Sequence, residues 1–143
     1  MTGPLLTLLN AHRLTAYTSA WYWGDETLYA VAARHARATP DRFAVRDRVR
    51  RLTYAALVSA ADRLAASLAA RLRPGQRVAV WLPSRVETAI ALLACSRNGY
   101  VCCPSLHRDH TVGQVAGLVD RMQAAALIAE PGYGADPDRK SVV

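Results

Sequence analysis

Three short apolar runs, RVAVWLP from Arg77, YVCCP from Tyr100 and AAALIAEP from Ala124, are separated by two stretches of helical periodicity. Short apolar runs bounded by turn residues read as strands, and RVAVWLP as one buried on both faces. In the first intervening stretch, SRVETAIALLACSRNG, residues Val86, Ile90, Leu93 and Ala94 share one helical face, and Asn98 with Gly99 suits a left-handed ending. In the second, LHRDHTVGQVAGLVDRMQ, the apolar side is Val112, Val115, Leu118 and Val119. Each opens on a capping-box pattern, Ser84 with Glu87 and Thr111 with Gln114. A β-α-β-α-β order closes only through right-handed crossovers, so the expected fold is α/β, a partial open parallel sheet.

Upstream, a helix and a hairpin precede this unit. Thr27 is placed to cap a helix with Leu28, Val31, Ala32 and His35 on one face, stopped by Thr39 and Pro40. FAVRDRVRRLTY predicts a hairpin, with Phe43, Ala44 and Val45 on one arm, Leu52 and Thr53 on the other, and a charged turn between. Thr53 then caps a helix over about Tyr54 to Leu72, with Leu57, Ala61, Leu64 and Leu68 inward, ended by Pro74 and Gly75. Residues 1–26 carry Tyr17, Trp21, Tyr22 and Trp23 and read as a strap across a larger domain; residues 27–136 form the partial subdomain, and 137–143 a tail. With 143 residues and 52% hydrophobic content, one core is well supplied.

The vicinal Cys102 and Cys103 look reactive at first sight. Successive side chains of a strand point to opposite faces, so the two cannot address one metal or substrate together, and buried packing is the reading. No C-x-x-C spacing occurs, and His107, Asp109 and His110 have ligand chemistry without further ligands at metal-site spacing. Neither G-x-G-x-x-G nor a P-loop pattern is present, which argues against a dinucleotide or P-loop site. Ser84 and Ser105 lack a G-x-S-x-G elbow, His35 lies on an apolar helix face, and Glu87 is read as a capping partner. No residue is therefore assigned a catalytic, cofactor-binding or metal role.

Net charge is +7 and the pI near 9.9, which admits nucleic acid or an acidic surface as partner. The arginines are dispersed without interleaved aromatics, which argues against a nucleic-acid groove. No run approaches the length of a membrane span, and PLLTLLN lacks the flanks of a signal peptide, so the expectation is a cytoplasmic protein.

Three pieces in this order resemble the opening section of the adenylate-forming superfamily, which includes acyl-CoA synthetases, aryl-acid adenylating enzymes and peptide-synthetase adenylation domains. They are TPDRFAV, then LTYAAL from Leu52 to Leu57, then LLACSRNGYVCCPSL, and the likeness spans about Trp21 to Asp136. YWGDETL, LHRDHTVGQVAGLV and AALIAE look most like the branch that activates aryl or cyclic acids and its acyl-CoA ligase relatives. The resemblance implies a ligase that makes an acyl-adenylate from a carboxylic acid and MgATP and passes the acyl group to a thiol such as coenzyme A. The family's phosphate loop, ribose-binding aspartate and mobile lysine belong beyond DPDRKSVV, so none of its site residues maps onto this chain. What is expected is an N-terminal piece, inactive alone, whose partner is the remainder of the ligase or another copy of the chain. The alternatives are an interaction module binding through an open sheet edge and a basic nucleic-acid-binding domain.

Overall fold

The structure is a computed structural model and describes residues 10–104 and 108–135. Its elements are α1 (Ala11–Ser19), α2 (Leu28–Ala38), β1 (Phe43–Arg46), β2 (Arg51–Thr53), α3 (Tyr54–Ala69), β3 (Arg77–Trp81), α4 (Val86–Asn98), β4 (Val101–Cys103), α5 (Val112–Arg121) and β5 (Ala124–Ala129). The expected α/β class holds: β3, β4 and β5 form a parallel sheet in the order β4-β3-β5, and β1 and β2 form a separate antiparallel hairpin.

The central strand is buried on both faces, as its unbroken apolar run predicts. Val78 meets Leu72, Cys95 and Tyr100 on the side of α3 and α4, with Cys102 packed alongside. Ala79 and Trp81 meet Val115 on the side of α5. Cys102 and Cys103 sit in register with Val78 and Ala79 respectively, hence on opposite faces, and all three cysteines are free thiols. A third cluster joins α2, α3 and α4 through Ala32, Ala33, Leu57, Val58, Ala61 and Leu93, with the hairpin's Ala44, Val45 and Leu52 against it.

Caps mark where the elements begin. Thr27, Thr53 and Thr111 each accept from the backbone N–H three residues on, and Thr111 with Gln114 completes a reciprocal capping box. Gly99 ends α4 in the left-handed region at φ 70°, as its sequence position predicts. Two apolar faces are rotated from expectation. In α2 the inward residues are Tyr29, Ala32, Ala33 and Ala36, while Leu28 is 51% exposed, because Tyr29 is drawn between α3 and α4. In α5, Val112 is exposed and the buried line runs from Val115. Helix α3 stops at Ala69 rather than Leu72; Arg71 and Leu72 both donate to the Leu68 carbonyl, and the loop beyond still buries Leu72.

Among the described residues of the leader, α1 buries no side chain. Tyr17 makes edge contacts with Tyr22 and Trp23, and Trp21 is 83% exposed.

Candidate functional site

Helix α4 carries the chain from β3 out to β4, and α5 brings it back across β3 to β5. In open parallel sheets of this 2-1-3 order, a crevice forms where the chain reverses, at the carboxyl ends of the two strands concerned. Here those ends are Trp81 on β3 and Ala129 on β5. A cavity of about 780 Å³ lies at that point, walled by Trp81, Glu130, Tyr133, Arg108 and Val112.

The walls are built by short-range packing. Trp81 stacks edge-on with Tyr133 at 5.9 Å, and Tyr133 donates its N–H to the Glu130 carbonyl at 3.1 Å. Gly134 lies so close to the Trp81 indole that a Cβ there would overlap the ring and come within 2.9 Å of the His110 carbonyl. Its φ of 130° is a second reason for glycine. The His110 carbonyl also accepts from Ala135 at 3.0 Å, which fastens the loop after β5 to the entry of α5. Across the crevice, Arg85 pairs with Glu130 at 3.1 Å and ties the loop after β3 to the loop after β5.

A second group of charges adjoins the same end of the sheet. The hairpin turn brings Asp47 to the start of α4, where its Oδ2 accepts from Val86 N at 3.2 Å. Its Oδ1 accepts from Val49 N at 2.8 Å and Arg50 N at 2.7 Å. These three donors hold the Asp47 carboxyl below the usual carboxylate range. Arg50 in turn pairs with Glu87, whose carboxyl is lowered chiefly by that hydrogen bond. The second oxygen of Glu87 is buried with no hydrogen-bond partner among the described residues.

This arrangement corrects the capping box expected at Ser84 and Glu87. The N-cap of α4 is Arg85, with no side-chain cap bond, and Ser84 lies one residue outside the helix. The reason is tertiary. Arg85 N donates to the Pro83 carbonyl in a tight turn, and the free N–H of Val86 is met by a carboxylate from 39 residues upstream. Sequence reading missed Asp47 because its partner lies on another element; the one local signal was an aspartate opening a charged turn.

The remaining candidates are not brought together. His35 stacks on Tyr54 at 5.0 Å, the packed histidine expected. Ser105 and His107 lie outside the described residues, so the HRDH pair is represented by Asp109 and His110 alone. Among the described residues no group of three or more His, Cys, Asp or Glu could hold a metal ion. Among them, too, no helix is long and apolar enough to cross a membrane. The geometry offers an aromatic-walled crevice beside the Arg85–Glu130 ion pair.

Residues 32–142 match the family model of the AMP-binding enzymes. Over 117 residues the chain is 39% identical to the salicyl-AMP ligase / salicyl-S-ArCP synthetase of Mycobacterium tuberculosis, covering 76% of this chain and 20% of that protein. It is 38% identical over 99 residues to the medium-chain fatty-acid–CoA ligase of Escherichia coli, covering 68% of this chain and 18% of that one. The apo structure of MbtA from Mycobacterium smegmatis superposes with a TM-score of 0.70 at 39% identity, over 85% of this chain and 23% of that one. The chain thus spans about a fifth of the length of the curated relatives it matches. These relatives give no support to a nucleic-acid-binding domain or a sheet-edge interaction module.

Proposed function

The chain belongs to the AMP-binding, adenylate-forming enzymes, and on that premise we propose that it builds the first layer of the N-terminal domain of an ATP-dependent carboxylic acid ligase. Residues 1–26 are then a leader packed on the larger domain, 27–136 the partial subdomain and 137–143 a tail. The observation that carries the reading is a parallel layer matched at 39% identity that amounts to 20% of its relative's length. The substrate of the whole enzyme is a carboxylic acid, aryl or fatty, as the names of the two ligases above support. That acid attacks the α-phosphate of ATP, pyrophosphate leaves, and a thiol such as coenzyme A then takes the acyl group from the adenylate.

ATP, Mg2+ and coenzyme A do not fit the residues described. The crevice glycines Gly132 and Gly134 shape a turn and a contact with Trp81 rather than a phosphate cradle; of the two carboxylates lining the cavity, Asp109 and Glu130, the second is paired with Arg85, and among the described residues no third ligand joins them. The proposed role is to frame the active site from one side, and no chemical step is routed through these side chains. A cytoplasmic setting belongs to the same proposal; Cys95 and Cys102 packed together as free thiols fit a reducing compartment.

The test is ATP–pyrophosphate exchange over a panel of aryl and fatty acids. The chain alone should stay at background, and exchange above it would overturn the supporting role. A chimera joining this chain to the rest of the Mycobacterium tuberculosis ligase should exchange; a folded chimera that does not would sink the family-level reading.

A further inference from the structure

The hairpin turn carries more positive charge than the fold uses. Four arginines, Arg46, Arg48, Arg50 and Arg51, surround one acid, Asp47. Asp47 is 4% exposed at its side chain and committed to three backbone N–H groups, and among the described residues Arg50 is the one cation within 4 Å of it. Arg50 is committed to Glu87. Arg46 and Arg48 are exposed and make no ion pair among the described residues, and Arg51 lies over the Phe43 ring at 5.6 Å. Elsewhere Arg34, Arg85 and Arg97 each face a carboxylate, while the exposed Arg63 and Arg121, like Arg46 and Arg48, make no ion pair among the described residues.

Two further facts separate this turn from a merely solvated basic stretch. Arg46 and Arg51 stand directly opposite each other in the β1–β2 ladder, and like charges in that relation destabilise a hairpin. The turn is also pinned to α4 through Asp47 and Arg50, so its backbone is a fixed platform and binding has chiefly the arginine side chains left to order. Together with Ser84 the turn lines an open hollow of about 590 Å³, and Val49 stands at its rim 83% exposed.

We propose that this arginine hollow is a docking surface for an acidic segment of a partner polypeptide. A lone phosphate is the poorer fit, because the first N–H of α4 is already taken by Asp47 and the free guanidiniums ring an open rim. An extended row of carboxylates satisfies Arg46, Arg48 and Arg51 together and relieves their repulsion, while Val49 supplies an apolar contact.

The experiment is fluorescence anisotropy of a labelled glutamate-rich peptide titrated with the full chain at low and moderate salt. R46Q/R48Q should weaken binding about tenfold and reduce its salt dependence, while leaving Tm unchanged or slightly raised, since a repulsion is removed. R63Q/R121Q removes the same charge from α3 and α5 and should change affinity less than about twofold. Equal loss in the two variants would overturn the proposal as diffuse charge attraction. Tighter binding of a single-stranded oligonucleotide of the same charge, or no binding of the peptide, would overturn it as well.

Discussion

Asp47 shows how one side chain can fix the position of two elements. It closes its own turn through Val49 and Arg50 and caps α4 through Val86. Asp47→Ala should therefore lower Tm by about 5 °C in thermal unfolding followed by circular dichroism. The Asp47 and Glu87 carboxyls are both held below their ordinary range in the folded chain. The stability they contribute is fully present above the carboxylate values of the unfolded chain, at about pH 4 to 5, and is lost as pH falls through the lower folded values. Asp47→Asn should flatten that acid limb, which a Tm series from neutral to acid pH would read. At Gly134, both the Trp81 contact and the φ of 130° oppose a side chain. Gly134→Ala should open the crevice wall, costing about 2 kcal/mol by chemical denaturation and altering tryptophan emission as Trp81 is uncovered.

At the scale of elements, the sheet was legible in the sequence and the helix faces were partly so. β3, β4 and β5 announce themselves as short apolar runs between turn residues, and in the central β3 burial on both faces leaves no room for polar alternation. Thr27, Thr53 and Thr111 were legible as caps because their partners lie three residues on. The face of α2 was not, because periodicity treats Leu28 as the stronger apolar anchor. Tyr29 takes that place through long-range contacts: its hydroxyl donates to Asp62 at 2.6 Å and its N–H to Ser96 Oγ at 3.1 Å, while Arg97 lies over its ring. The Arg85–Glu130 bridge and the Asp47 cap were invisible for the same reason, since each joins elements far apart in sequence. Leu57 sits in the cluster shared by α2, α3 and α4, and Leu57→Ala should cost about 3 kcal/mol in denaturant unfolding.

For the whole molecule, the decisive quantity is how much of the relatives it represents. Among the described residues β5 pairs with β3 alone, and Leu127 on it is 44% exposed. An unpaired strand edge with an apolar side chain invites a further strand. The isolated chain should accordingly show concentration-dependent association in sedimentation velocity, and Leu127→Lys should reduce it. A monomer at all concentrations would mean the edge is already protected.

The bond from Val86 to Asp47 also makes the amide proton of Val86 a reporter on a loop that is distant in sequence. That proton can exchange with solvent only when the hairpin turn lets go of α4. In native-state hydrogen exchange, Val86 should therefore share its opening free energy with the amides of Val49 and Arg50, so that the hairpin and the first turn of α4 open as one cooperative unit.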